Sequence, residues 1–310
     1  MDVECRQKYQ AKNPALYAQV AEAETLIYDA NGLTALNETA LAILRTVLAK
    51  DAKFAPAYVQ MARVTSNLGY QVSGQFDGAA MSTREDFLKK ALALEPKYDY
   101  AIALMGYTKM MQGNLDEAEK YYQQVVAMKS GYPLLKSQMA GLATKRGDFK
   151  KAIVLATQCL QENKANKWAA TAAMTELIFA YQELPGDQNR ELEKWQTARV
   201  NLNPTVAWFW GDRARFRLFF QNDYERAIQD SEQALKLMDY GVGRYVLAAA
   251  YYAKWADLEV KKAGSAEGNE IWAKANQHYP LDMDMVQKFL GTPLLVSKGV
   301  ILVRKLKGSG

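Results

Sequence analysis

The sequence predicts an all-α protein, a right-handed superhelical α-solenoid of helix–turn–helix pairs with a short C-terminal cap. Three observations support this fold class. Apolar residues recur at helical spacing through most of the chain. One pattern of two helices and a turn returns after 34 residues. Prolines stand where successive pairs would end, and proline cannot continue a helix.

The composition fits a folded repeat array and disfavours other classes. With 310 residues, 49% hydrophobic and 24% charged, the chain has ample apolar material and is long for one core. Its net charge of +5 is too small for the dense basic surface of a nucleic-acid binder. No apolar run reaches about 18 residues, so no membrane insertion is predicted. Because Met1–Gln10 lacks a signal-peptide core, we expect a soluble protein, cytoplasmic or, if a signal was removed, periplasmic.

The clearest helix pair occupies 99–132, and the next occupies 133–166. Each has a small residue in the middle of its first helix, a turn with a glycine, and an alanine near the start of its second helix. The matched residues, each 34 positions apart, are Gly106 and Ala140, Gly113 and Gly147, and Ala118 and Ala152. Glycine suits turns with positive φ, and the small helical residues are expected to admit a large side chain from a neighbouring helix.

These residues resemble the tetratricopeptide repeat (TPR), of the bacterial type, whose unit is a helix, a tight turn and a second helix. The resemblance covers residues 14–280 and implies about seven units. They are 14–52, 55–96, 99–132, 133–166, 167–204, 207–240 and 242–280. Residues 281–310 would follow as a capping helix, Asp282–Leu290, and a strand-like tail, Val300–Leu306, because the tail is rich in β-branched residues.

Three stretches depart from the 34-residue length. Gln71–Ser82 is a Gly-rich insertion within one pair, Leu184–Asp187 lengthens a turn, and Lys261–Gly268 interrupts the last pair. Extra residues in a solenoid usually emerge on one face, where they contact a partner or merely tolerate drift. Both interpretations stay open for the first insertion.

Few residues in the chain could carry catalysis or hold a metal. His278 is the sole histidine and stands at an expected helix end. Cys5 and Cys159 are too few for a thiolate zinc site, and either one disulfide between them or two separate thiols fits the sequence. No glycine-rich phosphate loop is present. We therefore predict no enzymatic activity, no cofactor and no metal site.

The resemblance implies that ligands lie against the first helices of the pairs. The candidate groove residues in this register are Arg63, Tyr100, Tyr107, Met110, Met111, Lys145, Met174, Trp208, Arg215 and Phe219. Tyr, Trp, Met and Arg are enriched at interfaces, although ordinary packing between helices is the alternative for these side chains. Family members that grip the carboxylates of a chaperone C-terminus carry Lys and Asn at set first-helix positions. Ala103 and Tyr107 fill such positions here, so that subtype is disfavoured.

Arg213, Arg215 and Arg217 form a separate cluster. Arg215 falls at a groove-facing position, whereas the other two fall where the family has apolar residues. Either the register shifts here, or these arginines pair with buried acids such as Asp212 or Glu176. Contact with an anionic ligand is the third alternative for the cluster.

The expected function is protein binding. A groove with aromatic, Met and basic side chains suits a peptide or partner protein with apolar anchors and some acidic residues, and Tyr107 and Trp208 are the expected anchors. The alternative is a self-assembling scaffold or assembly factor of a bacterial envelope or secretion complex, a homo-oligomer built through terminal repeats or the C-terminal strand.

Overall fold

The computed structural model describes residues 3–30, 34–73, 78–261 and 264–278. This part of the chain is all-α, as predicted, and contains fifteen α-helices and no strand. The helices are α1 (Val3–Lys12), α2 (Pro14–Asp29), α3 (Thr34–Lys50), α4 (Ala55–Ser73), α5 (Gly78–Leu94), α6 (Asp99–Met111), α7 (Leu115–Ala127), α8 (Leu135–Lys145), α9 (Phe149–Glu162), α10 (Lys167–Glu183), α11 (Asn189–Leu202), α12 (Ala207–Phe216), α13 (Tyr224–Leu237), α14 (Gly241–Lys261) and α15 (Ala266–His278).

The chain divides into two compact units, an N-terminal unit, Met1–Glu183, and a C-terminal unit, Leu184–Gly310. Within the N-terminal unit each helix from α1 to α9 contacts the helix that follows it in the sequence. Alternate helices also meet, because α2 contacts α4, α6 contacts α8, and α8 contacts α10. Antiparallel pairs whose first helices lie side by side give this pattern. The division into seven repeats stays a prediction.

Small residues allow the close packing in the clearest pairs. A Cβ at Gly106 would lie 2.7 Å from Cε1 of Tyr122, so only glycine lets this ring of α7 rest on α6. Ala118 and Ala152 are fully buried. The turn glycines Gly113 and Gly147 have φ of +84° and +79°, a region that other residues rarely adopt. The matched glycines and alanines therefore have the roles that the sequence predicts.

Two helix starts illustrate how local sequence sets the elements. Asn13 caps α2 by accepting a hydrogen bond from the Leu16 amide, and Pro14 occupies the first turn, where its missing N–H costs nothing. Asp148 caps α9 in the same way, accepting from the Lys151 amide. Each boundary lies where the predicted repeat begins its helix.

The C-terminal unit contains α11 to α15 and one irregular turn. α12 continues into a π-helical turn, Arg217–Gln221, which ends at Asn222 in the left-handed conformation, with φ of 54°. A π-turn inserts one residue into the helical register. This turn begins at Arg217, after Arg213 and Arg215, so the register shift that is one alternative for the cluster stays a prediction for those two residues.

The same segment also contains the predicted ion pairs, but with other partners. Asp230 of α13 accepts two hydrogen bonds of 2.8 Å from Arg213 and one of 2.7 Å from Arg217. Arg217 also binds Glu193 at 2.7 Å. Naming Asp212 and Glu176 as the partners was wrong. Asp212 instead pairs with Arg199 at 2.8 Å.

Several elements differ from the sequence prediction. α1 was not predicted, because its sequence is mostly polar; its Cys5 and Tyr9 side chains are buried against the core. The described parts of the 71–82 insertion are helical, so the insertion lengthens α4 and α5. The capping helix and strand-like tail at 281–310 lie outside the described residues.

Candidate functional site

Two adjoining cavities form one groove on the N-terminal unit. The larger has a volume of about 670 Å³ and the smaller about 180 Å³. Tyr100 of α6, together with Tyr132 and Leu134 from the segment before α8, borders both of them. We call these two cavities together the groove.

The larger cavity is lined by α1, α2, α6, the segment before α8 and the start of α10. Its lining is aromatic and amide-rich: Gln7, Gln10, Tyr17, Glu24, Thr25, Tyr28, Tyr100, Tyr132, Pro133, Leu134, Asn166 and Trp168. Tyr28 of α2 stacks on Trp168 of α10 with ring centroids 4.1 Å apart. Helices that are far apart in sequence therefore face each other through an aromatic pair.

Arg63 of α4 connects the two cavities. Its guanidinium stacks on Tyr28, 4.0 Å from the ring centroid, and donates a hydrogen bond of 3.0 Å to Gln60 Oε1. Glu24 lies 3.7 Å from Arg63 and offsets part of its charge. The stacked, hydrogen-bonded guanidinium is held in a fixed orientation at the edge of the smaller cavity.

The smaller cavity contains a second arginine, Arg84 of α5. Its side chain is buried, donates a 3.0 Å hydrogen bond to Ser66 Oγ and lies 5.0 Å from the Tyr107 ring centroid. Burial lowers the pKa of this guanidinium from its ordinary value, although arginine remains protonated at neutral pH. The cavity therefore has two cationic groups, from Arg63 and Arg84, in its wall.

The groove tyrosines are neutral hydrogen-bonding groups. Burial raises the pKa values of Tyr100 and Tyr132 well above the ordinary value, and the nearby Arg63 only partly opposes this. Tyr132 accepts a hydrogen bond of 3.1 Å from Gln138 Nε2. These phenols supply apolar ring area and a polar edge, a combination that suits peptide recognition.

The structure brings together three of the ten predicted groove residues: Arg63, Tyr100 and Tyr107 line the smaller cavity. Met110 is buried, Met111 is partly buried against the core, Met174 is partly exposed on α10, and Lys145 is exposed at the end of α8. The other three belong to the C-terminal unit. There Trp208 packs near Val206 and Phe209, Phe219 packs on the core of that unit, and Arg215 is exposed.

The sequence analysis missed several groove residues, chiefly Tyr28, Arg84, Tyr132, Gln138 and Trp168. A signal existed for Arg84, because it stands 34 residues before Ala118, at the position where the following repeats have alanine. Tyr132 lies between pairs, outside any helical pattern. No local signal could have indicated that Tyr28 meets Trp168.

No other chemistry is concentrated in the described residues. No group of three or more His, Cys, Asp or Glu side chains there could hold a metal ion. Cys5 and Cys159 are separate buried thiols, so the two-thiol alternative is the correct one. No helix among the described residues is long and apolar enough to cross a membrane.

A family comparison decides what this fold is. The family model of the tetratricopeptide repeat matches residues 73–141, which contain the close-packed pair α6 and α7. Residues 73–141 therefore match tetratricopeptide repeats, and the described helices have the fold of a TPR solenoid. No curated protein matches it in sequence. Proteins of this family are generally modules for interaction with other proteins, because stacked repeats present extended surfaces.

Solved structures have the same fold as this TPR protein. One is the APC/C hetero-tetramer Cut9–Hcn1, with a TM-score of 0.55 and 18% identity over 79% of this chain and 44% of that chain. Another is the human IFIT1 dimer with PPP-AAAA, with a TM-score of 0.57 and 18% identity over 89% of this chain and 65% of that chain. The TPR chain thus spans less than two thirds of either protein's length.

Proposed function

We propose that this TPR protein is an interaction module that binds an extended segment of a partner protein in the groove of its N-terminal unit. The observation that carries the proposal is the continuity of the two cavities, which share Tyr100, Tyr132 and Leu134. A continuous path of this kind suits a chain better than a compact metabolite.

The wall chemistry supports a peptide as the occupant. Tyr17, Tyr28 and Trp168 supply apolar ring area, and Gln7, Gln10 and Asn166 supply both donors and acceptors for peptide groups. Aromatic side chains with satisfied polar edges are the usual anchors of protein interfaces. Neither catalysis nor a cofactor is part of this function.

A nucleic-acid ligand is not favoured by the same wall. A polyanion requires several cations along its path, whereas the larger cavity has Glu24 as its charged lining residue among those described. What the IFIT1 structure contains, PPP-AAAA, is therefore not carried over to this chain.

The proposal is tested with peptides selected by display on the full chain. We expect Tyr107→Ala to weaken binding of a selected peptide by about tenfold or more, since loss of a central aromatic at an interface often costs about 2 kcal/mol. Val154→Ala, an exposed side chain on α9, is the matched control and should leave affinity unchanged. Unchanged affinity in Tyr107→Ala would move the binding site off the groove.

Trp208→Ala measures how far the ligand extends. The sequence predicts Trp208 as a second anchor, and it lies in the C-terminal unit. A loss of affinity in this variant, with the thermal unfolding curve retained, would show that the C-terminal unit contributes to binding. Light scattering against concentration separates this function from the self-assembling scaffold, which would grow in mass as concentration rises.

A further inference from the structure

Arg84 differs from the other buried arginines of the chain. In the described residues, four arginines are buried: Arg84, Arg199, Arg213 and Arg217. The last three are each paired with a carboxylate at 2.7–2.8 Å. Arg84 is the one of the four without a carboxylate partner among the described residues, whereas a buried Nε without an acceptor is shared by Arg84, Arg199 and Arg217.

A buried charge without a counterion is costly. Removing one partner of a buried ion pair is typically strongly destabilising. Arg84 nevertheless stands where the next two repeats have the fully buried alanines Ala118 and Ala152. A ligand that completes the pairing would account for a guanidinium at this position.

The cavity beside Arg84 has the other features of an anion site. Arg63 lines the same wall and Asn67 adds an amide, whereas the Ser66 hydroxyl already donates to the Arg63 carbonyl oxygen. Gln138, on the opposite side, has a buried Oε1 without a donor, and a peptide N–H would satisfy it. A carboxylate next to a peptide group therefore matches the donors and the acceptor together.

The charge balance selects the kind of anion. Arg63 and Arg84 bring two positive charges, and Glu24 at 3.7 Å from Arg63 returns one negative charge. One carboxylate neutralises the remainder, whereas a phosphate monoester at neutral pH carries about two charges. The volume of about 180 Å³ admits one side chain.

We propose that the smaller cavity is a specificity pocket for one carboxylate side chain, Asp or Glu, of the bound peptide, held between Arg63 and Arg84. This rests on the peptide-binding function proposed for the groove. The pocket fixes the register of the peptide in the groove, because the position of the acidic side chain determines which neighbouring peptide residues contact Tyr100 and Tyr132.

The first test observes Arg84 directly, without any peptide. The ¹⁵N side-chain Nε–Hε signals of the full chain are followed while sodium propionate is added, and the Arg84 signal is assigned by its loss in Arg84→Lys. We expect a saturable shift of the Arg84 signal. The Arg146 signal is the control, since that arginine pairs with Asp116 and Glu119 on the surface of the same unit. Absence of a saturable Arg84 shift would overturn the proposal, and so would saturation by inorganic phosphate at a lower concentration than by propionate.

The second test uses two pools of acetylated, amidated hexapeptides that are identical except for Glu or Gln at one fixed position. We expect the Glu pool to bind the full chain about tenfold more tightly, as is typical of a charge-assisted bond to a buried partner. Arg84→Gln should abolish this preference and Arg146→Gln should keep it. Circular dichroism checks folding, and Arg63→Gln is the second variant if Arg84→Gln unfolds.

The outcomes separate this inference from the proposed function. Equal binding of both pools, with loss of binding in Tyr107→Ala, would overturn the carboxylate pocket and leave the peptide groove standing. A saturable propionate shift with no binding of either pool would leave an anion site and overturn the peptide groove. Tighter binding of a Gln pool that has a free C-terminus than of the amidated Glu pool would overturn the assignment to a side chain and indicate a chain-terminal carboxylate.

Discussion

At the scale of single residues, position 84 and its equivalents 118 and 152 show how one site in a repeat can serve two purposes. Ala118 and Ala152 are fully buried and let neighbouring helices pack closely. Arg84 uses the same position to bring a cation from the second helix of its pair to the groove. The same repeat position supports packing between helices at Ala118 and Ala152, and at Arg84 it contributes a side chain to the groove wall.

Ala118→Leu should destabilise the protein. Ala118 has no exposed surface, and extra methylenes in a packed core force neighbouring side chains and backbone to move, which typically costs about 1–3 kcal/mol. Ala127→Leu, an exposed alanine on the same helix, is the control and should change the free energy of unfolding by less than about 0.5 kcal/mol. Urea denaturation measures both. Equal stability of the two variants would show that the repeat register is wrong.

Glu176→Gln should remove the decrease in the free energy of unfolding that the wild-type protein undergoes as pH rises. Burial raises the pKa of Glu176 from 4.5 to about 7, and Lys145 only partly opposes this. Because the folded state binds this proton more tightly than the unfolded state, the free energy of unfolding falls as pH rises from about 4.5 to 7. A tenfold difference in proton affinity is worth about 1.4 kcal/mol, so we expect a change on the order of 3 kcal/mol.

The measurement is the free energy of unfolding at pH 5 and pH 8 for wild type, Glu176→Gln and Glu183→Gln. Glu183 is an exposed carboxylate at the end of the same helix and serves as the control. Glu176→Gln should gain stability relative to wild type at pH 8 and little at pH 5. The same gain at both pH values would contradict the assigned protonation.

At the scale of elements, α12 and α13 are joined by an ionic network where other repeats use apolar contacts. Asp230 accepts bonds from Arg213 and Arg217, and all three side chains are less than a tenth exposed. The π-turn after α12 changes the register in the segment that contains Arg217. Arg213 and Arg217 thus occupy positions where the family has apolar residues, and Asp230 of α13 accepts hydrogen bonds from both.

Asp230→Ala should therefore be strongly destabilising. It leaves two buried guanidinium groups without their shared acceptor, and breaking a buried ion pair costs about 3–5 kcal/mol. Asp239→Ala breaks the exposed pair with Arg244, which solvent screens, and should leave the free energy of unfolding nearly unchanged. Chemical denaturation compares the two variants. A cost for Asp230→Ala as small as that for Asp239→Ala would mean that the arginines find other acceptors.

The elements were more predictable than their contacts. The pairs from α6 to α9 follow from residues 34 positions apart, because glycine turns and buried alanines impose the same geometry each time. α1 escaped prediction because its sequence is mostly polar, and it is held by Tyr9 packing on Phe54 and donating to Glu95. Such a contact involves residues that no local pattern connects.

At the scale of the whole molecule, we propose that recognition takes place on the N-terminal unit. Sequence register placed Arg63, Tyr100 and Tyr107 on the groove but spread the other candidates over both units. The missing information was spatial: Tyr28 and Trp168 meet only because the intervening repeats bring α2 and α10 together. A periodic sequence predicts which face a residue occupies within its repeat, and it does not predict which repeats face each other.

The central claim, that a partner segment lies in this groove, is tested most directly by mapping crosslinks from a bound peptide. A benzophenone is placed in a display-selected peptide, the complex with the full chain is irradiated, and the modified residues are identified by mass spectrometry. The groove predicts crosslinks at its lining, on 24–28, 100–107, 132–134 and 166–168. Crosslinks confined to the exposed faces of α7 and α9, or to the C-terminal unit, would contradict it.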